Sequence, residues 1–413
     1  MNNESMNTKR VAIILALELA IIICLSILYD MSLESPDLVV RDEQTSEMES
    51  QVSGLPNTEI VGGGSELATE EETEAQTEST TESETEPEAS EEPEIVVLNE
   101  NPLTGLYDVT DGGVGKRPVA VMINNINKAM PQYGVAKADI IFEIPVEGFA
   151  TRLMAMYADY TQMPKICSIR SCRPYFPAIA KGFDAVYVYS GLAEVIRPYV
   201  DSLELTEFHA GRNYNNIFAR DMERRKAGYA LEHTLYFDAT KIVEVMEQRK
   251  MRSDLESDNQ GPAFKFHDTV EPVRPDGEEC TWIKTNFGAA TATLIYNVKT
   301  NSYYKELNDK PQIDYVEGVQ LSFTNVFILE TTIKSAEYYE LHKDVDWHGG
   351  TGYYISNGAR QAITWSKKDE ASPMKFYDME GNELKLNRGK TYIAINRKNR
   401  TEYKAAITEE MIR

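Results

Sequence analysis

Between residues 118 and 191 the chain carries five strand-length runs with hardly a break in their hydrophobicity: PVAVMINNI (118–126), ADIIFEIPV (138–146), TRLMAMYAD (151–159), KICSIRS (165–171) and DAVYVYSG (184–191). A strand with one wet face alternates apolar and polar residues, whereas a strand covered on both faces reads as one continuous apolar run. These runs predict a sheet buried between two layers. Helical spacing is found over 174–181, 192–203 and 238–251, and in the last Ile242, Val245, Met246 and Arg249 recur at helical intervals behind Asp238, a capping residue type. Strands and helices together predict an α/β domain.

The second half is written in another period. TATLIYNV, VQLSFTNVFILE, GYYISNGARQAITWS, MKFYDMEGNELKL and KTYIAINR are short β-branched and aromatic segments separated by Asn-Gly, Glu-Gly-Asn and Asn-Arg-Gly turns, which is the pattern of hairpins. Around 259–275, NQGPAF and VRPDG supply the Gly and Pro of a boundary. The folded part therefore divides into an α/β domain, 96–265, and a smaller, mainly antiparallel β domain, 266–413.

Ahead of these domains, residues 11–29 form an apolar run about as long as a bilayer-spanning helix. Lys9 and Arg10 precede it and Asp30 follows, so the positive-inside bias leaves a cytoplasmic tip at 1–10 and sends the remainder outside the cell membrane. Glu18 stands within the run as a tolerated carboxyl or a helix-pairing group. Cys24 offers a second reading, as the lipid-attachment cysteine of a cleaved signal, but Ile23 stands where such a site wants a small residue. Residues 30–95 then read as a disordered acidic stalk, with 20 acidic residues against the single base Arg41 over 31–94. That segment holds most of the formal charge of −24, so the folded remainder is only mildly acidic. Net charge gives no support for nucleic acid and does not oppose an anionic ligand.

The exported cysteines, Cys167, Cys172 and Cys280, are too few for a disulfide framework, and a Cys167–Cys172 bridge requires a sharp turn between them. Cys167 reads as a small core residue and Cys172 as lying nearer the surface. Neither Cys-x-x-Cys nor a metal-like histidine pair occurs, so no metal and no cofactor is expected. Nucleophile-elbow, phosphate-loop, dinucleotide and metalloprotease motifs are also missing, which leaves open only a catalyst assembled from scattered residues.

Polar residues cluster instead at the ends of the predicted strands, where α/β folds build their sites. Asn124 and Asn125 end the first strand, Asp139 opens the second, Glu143 and Glu147 lie in and after it, Arg152 opens the third, and Arg170, Ser171 and Arg173 close the fourth; His233 follows in LEHTLYFD. Two or three guanidiniums on one rim bind carboxylate or phosphate in a bidentate manner, so an anionic ligand is the natural expectation. A structural alternative pairs Arg170 and Arg173 with Glu143, Glu147 or Asp184, makes His233 a buried, hydrogen-bonded histidine, and leaves ARDMERRKAGYALEH as a solvated charged stretch. WHGGTGYY reads either as the cap of a pocket or as a turn with one packed indole.

NPLTGL, RPVAVMINN, KADIIFE, VEGFATR, IRSCRPYF, DAVYVYSG and the late GYYISNGARQAITWSK and DMEGNELKLNRGKTYIAI occur in an order that resembles the YerB family of bacterial lipoproteins. The resemblance spans about 99–396 and implies a two-domain extracytoplasmic protein of unassigned activity, with no catalytic residues to carry over. That family reads Gly-Pro-Val-Arg-Ser-Ala-Arg-Pro where this chain has Cys167 to Pro174, so both cysteines replace small residues and an essential thiol is not implied. Over about 139–189 the chain is also similar, more weakly, to the LytR-CpsA-Psr wall-polymer transferases. That analogy would make Arg170 and Arg173 a pyrophosphate clamp and Asp139 a metal-side carboxylate, though the Asp that follows the Arg in those enzymes is missing. The resulting expectation is a single-pass membrane protein of the cell envelope that binds a cell-wall or lipid-phosphate ligand or an envelope protein partner. The alternatives are an enzyme acting on a wall-linked or polyprenyl-phosphate-linked substrate and a structural scaffold.

Overall fold

The computed structural model describes residues 98–212, 214, 217–256 and 264–405. The apolar run at 11–29, Cys24 and the acidic segment lie outside the described residues. Among the described residues no helix is long and apolar enough to cross a membrane.

An eleven-stranded mixed sheet organises this part of the chain. In chain order its strands are β1 (Val119–Asn124), β2 (Ile140–Pro145), β3 (Thr151–Tyr157), β4 (Val186–Tyr189), β5 (Glu207–His209), β6 (Glu278–Glu279), β7 (Asn325–Thr331), β8 (Gly349–Ser356), β9 (Ala359–Ser366), β10 (Lys375–Tyr377) and β11 (Thr391–Arg397). They lie side by side in the order β6-β9-β8-β7-β11-β2-β3-β1-β4-β5, with β10 also paired to β9. Strand β11 is parallel to both of its neighbours, β7 and β2, so three adjacent strands end at the same edge. Four of the five apolar runs form β1 to β4, each buried along its whole length.

Their continuous hydrophobicity has the expected cause. On one face the cross-strand row Val326, Tyr392, Ile141, Ala155, Val121 and Val188 belongs to one core. On the other face the next row, Phe327, Ile393, Phe142, Met154 and Met122, belongs to a second core. A one-residue slip in any of these strands would exchange the two sets, so two covered faces fix the register. The first core is closed by a six-stranded antiparallel sheet that includes Trp282–Asn286, Thr291–Asn297, Ser302–Leu307 and Thr401–Lys404.

The second core is closed in part by helix α1 (Tyr175–Lys181), buried from Tyr175 to Ala180. Pro177 sits in its first turn, where a missing N–H costs no intrahelical bond. The 192–203 pattern resolves into a 3-10 turn followed by helix α2 (Arg197–Ser202). Helix α3 (Met222–Lys226) is capped by Asp221, whose carboxylate accepts from the backbone of Glu223 and Arg224. Helix α4 (Ile242–Gln248) supplies Ile242, Val245 and Met246 to the first core. Asp238 does not cap it; its carboxylate takes the Thr240 hydroxyl at 2.7 Å and the Lys241 ammonium at 3.2 Å.

The run 165–171 forms a strand only over Lys165–Cys167, within a three-stranded sheet with Phe218–Arg220 and Leu235–Asp238 on the first core's side, and beyond it keeps a single bridge from Ile169 to Ile123. Cys172 is fully buried, not near the surface, and all three described cysteines are free thiols. Asn357 and Gly358 make the two-residue turn between β8 and β9, both at positive φ, as a hairpin turn matched to strand twist requires.

A polar network sits where the two sheets meet. Fully buried Glu143 receives Lys305 Nζ at 3.0 Å and the Tyr392 hydroxyl at 2.8 Å on one oxygen. Its other oxygen receives Asn125 Nδ2 at 2.9 Å and the Thr151 hydroxyl at 2.7 Å. Lys305 also donates to Gln312, which in turn donates to Asn125 and Gln132. Two ions in a dry core persist only when their remaining bonding positions are filled, and here they are.

Candidate functional site

Glu147 occupies a short turn between β2 and β3 and joins two arginines drawn from different segments. Arg152 Nη2 meets its Oε1 at 2.6 Å, while Arg173 grips both oxygens, with Nε on Oε2 at 2.9 Å and Nη2 on Oε1 at 2.5 Å. Both guanidiniums are buried, and each also donates to a backbone carbonyl, that of Ser171 for Arg152 and that of Cys172 for Arg173. Burial alone would raise the Glu147 pKa, but Arg152 and then Arg173 outweigh it and bring the carboxyl down to about 2. Glu147 thus already fills the bidentate position that an external anion would take on Arg173.

The other candidates go elsewhere. Arg170 turns to Glu232 at a loose 3.7 Å. His233 is buried, and Asn124 Nδ2 donates to its Nδ1 at 3.1 Å, which leaves its Nε2 facing Glu232 at 3.5 Å. Asn125 and Glu143 belong to the buried network. Asp139 accepts from Asn101 at 3.0 Å and from the Ala158 N–H at 2.7 Å, and its burial pushes its pKa up to about 7. Asp139, Glu143 and Glu147 therefore hold three separate partner sets. Arg224, within the stretch expected to be solvated, is buried; it donates to the carbonyls of Pro131 and Ala129 and lies over the Tyr229 ring at 4.1 Å.

The edge where β2, β7 and β11 end together carries residues that were not among the candidates. A hairpin of Ile333–Ala336 and Tyr339–Val345 follows β7 almost at once and packs on the Glu147–Phe149 turn. Between this hairpin and the strand ends lies a cavity of 240 Å³, bounded below by Pro145, Asn396 and Arg397 and above by Lys334, Ser335 and Lys343. Lys334 faces Asp344 at 3.5 Å with both side chains mostly exposed. The Arg397 side chain has no hydrogen-bond or ion-pair partner among the described residues, although the residue is half-buried. On the hairpin itself, His342 Nδ1 and Tyr338 Oη are buried and have no hydrogen-bond partner among the described residues. Burial first, and then the charge of Arg173, hold the His342 pKa below its ordinary value.

On the hairpin's other flank a cleft of 410 Å³ is lined by Tyr175, Tyr199, Tyr338 and Trp347, with Glu337, Asp344 and Glu370 among them. Trp347 is packed with its ring 4.0 Å from that of His348, so the indole of WHGGTGYY is both buried and at a cleft. Lys343 lines both the cleft and the cavity. Among the described residues no group of three metal-type side chains converges. The signal that could have found this edge was the terminal Asn-Arg of KTYIAINR, the strand β11.

Residues 103–252 match the N-terminal domain, and residues 283–393 the C-terminal domain, of a family described as protein of unknown function (DUF3048). A Bacillus subtilis (strain 168) protein with the printed name "Putative lipoprotein YerB" is 27% identical over 304 residues, which are 71% of this chain and 85% of that protein. The crystal structure of the YerB protein from Bacillus subtilis superimposes with a TM-score of 0.64 at 23% identity, covering 74% of this chain and 99% of that one. With both DUF3048 domains in order, a YerB relative over most of its length and the same fold, the chain belongs to the YerB-type family of two-domain proteins.

Proposed function

We propose that the protein is a membrane-tethered, extracytoplasmic component of the cell envelope that binds an anionic ligand in the cavity at the ends of β2, β7 and β11. The observation that carries this reading is Arg397, a half-buried residue whose guanidinium has no partner among the described residues, in a cavity it shares with Lys334 and Lys343. A guanidinium offers a planar fork matched to carboxylate or phosphate, and half-burial strengthens that bond by lowering the local dielectric. The carboxyl ends of adjacent parallel strands are also where open sheets place their ligands. The tether rests on the apolar run at 11–29, the acidic segment behind it and a relative named as a lipoprotein. Binding is favoured over phosphotransfer because Asp139 and Glu143 face away from the arginines and Glu147 is held by two of them.

The test is calorimetric titration of the full chain in detergent micelles with inorganic phosphate and pyrophosphate at fixed ionic strength. Arg397→Gln is expected to weaken pyrophosphate binding about tenfold or more, the loss of one charge-assisted contact. Arg170→Ala serves as the comparison and leaves it unchanged. Equal affinity in Arg397→Gln and the parent protein would refute the cavity as the anion site.

A further inference from the structure

The cleft beside the cavity constrains the rest of the ligand. Its walls combine aromatic rings with carboxylates: Tyr199 on α2, Tyr338 on the hairpin and the Trp347–His348 stack stand beside Glu337, Asp344 and Glu370. The Tyr199 hydroxyl donates to Glu370 Oε1 at 3.2 Å, which fixes an acceptor at the edge of a ring face, and the Tyr338 hydroxyl has no hydrogen-bond partner among the described residues. An acyl chain in this cleft would press methylenes, which donate no hydrogen bond, against Glu337, Asp344 and Glu370. A uniformly charged polyanion would meet those same carboxylates. A polycation would meet Lys334, Lys343 and Arg397 next door. The group that fits is neutral, with apolar C–H faces to lie on tyrosine rings and hydroxyls to donate to carboxylates, which describes a pyranose.

We infer that the cleft is a saccharide subsite and that the ligand is a glycan bearing its carboxylate or phosphate at one end, the sugar on Tyr199 and Tyr338 and the anion reaching Arg397 past Lys343. This rests on the anion reading of the cavity. The two subsites share Lys343 and so adjoin at this hairpin residue, within reach of one ligand.

The experiment titrates the full chain in detergent micelles with five probes: tetralysine, inorganic phosphate, neutral chitobiose, chitobiose 1-phosphate and cellobionate, the last two separating a phosphate source from a carboxylate source. Tyr199→Leu removes the ring and is expected to weaken chitobiose 1-phosphate or cellobionate about tenfold while leaving inorganic phosphate unchanged. Tyr338→Leu repeats the measurement on the facing wall, and thermal unfolding confirms that both variants are folded. Saccharide affinity unchanged in both variants, or no saccharide binding beside tight binding of tetralysine, overturns the inference and leaves the anion reading standing. Phosphate binding insensitive to Arg397→Gln overturns the anion reading, while chitobiose affinity lost in Tyr199→Leu upholds the saccharide subsite.

Discussion

Changing Lys305 to Met removes one half of an ion pair with no exposure to water on either side. At 3.0 Å and an effective dielectric of about 20, the direct attraction between Lys305 Nζ and Glu143 Oε2 is about 5.5 kcal/mol. Desolvation of both groups offsets much of that in the intact protein, so the pair adds little net stability relative to an apolar core. The variant is different, because the Glu143 carboxyl stays in a dry site without its ammonium and retains the Tyr392, Asn125 and Thr151 donors. Lys305→Met should therefore lower the unfolding free energy by about 3–5 kcal/mol. Lys305→Met combined with Glu143→Leu should recover a large part of the loss, with a coupling energy above about 2 kcal/mol. The assay is urea unfolding of all four proteins of the cycle, followed by tryptophan fluorescence and circular dichroism. The three tryptophans all lie beyond residue 280 while β1 to β5 all lie before 210, so coincident transitions also test whether both parts unfold together. A single-variant cost below about 1 kcal/mol, or additive costs in the double variant, would refute the reasoning.

Glu147→Gln should cost about 3 kcal/mol, since it leaves the buried guanidiniums of Arg152 and Arg173 without a counter-charge, and chemical denaturation at pH 7 measures it. Because the folded Glu147 pKa is depressed to about 2, its contribution is complete above the ordinary carboxylate range and is lost as pH falls from about 4.5 towards 2. Glu147→Gln should flatten the stability profile in that window. Asp139 has the opposite sign: its folded pKa of about 7 lies above the unfolded value, so this group favours the native state below about pH 4 and progressively less as pH rises to 7. Carbon-detected NMR of the Asp139 carboxyl should show a midpoint near neutrality. Burial pushes the Cys167, Cys172 and Cys280 thiols up to about 12, so peptide mapping after iodoacetamide should find these three unlabelled in the native protein and labelled in urea.

The strands were legible because burial on both faces writes itself into composition: β1 to β4 and β11 lie inside the apolar runs or hairpin segments, which overshoot them by one or two residues at an end. Strand direction was not, since the alternation in KTYIAINR is the same whether its neighbours run parallel or antiparallel. Missing that direction hid the site. The sequence places Glu147 after β2, Arg152 in β3 and Arg173 after the run 165–171, all as strand-end residues, yet a further strand ending beside β2 comes from about 250 residues further along, and no local signal brings Arg397 to Pro145. Asp139 and Glu143 illustrate a second limit. They look alike as acids at strand ends, but one accepts bonds from Asn101 and Ala158 and the other from Lys305 and Tyr392, partners that only the packed sheets supply. The burial of Arg224 had no sequence signal, because its partners are backbone carbonyls on another loop.

The placement of β11 also orders events in time. Synthesis delivers β2 long before β11, so a growing chain carries β2 with one edge lacking the partner it will finally have. Unpaired apolar edges invite association with other chains, and contacts across such a separation in sequence form slowly. The Arg397 cavity accordingly comes into being among the last features of the protein to be completed. Until that strand is inserted, the molecule has core enough to be compact but lacks the cavity assigned to the proposed ligand, so the proposed binding would report that the chain has finished folding.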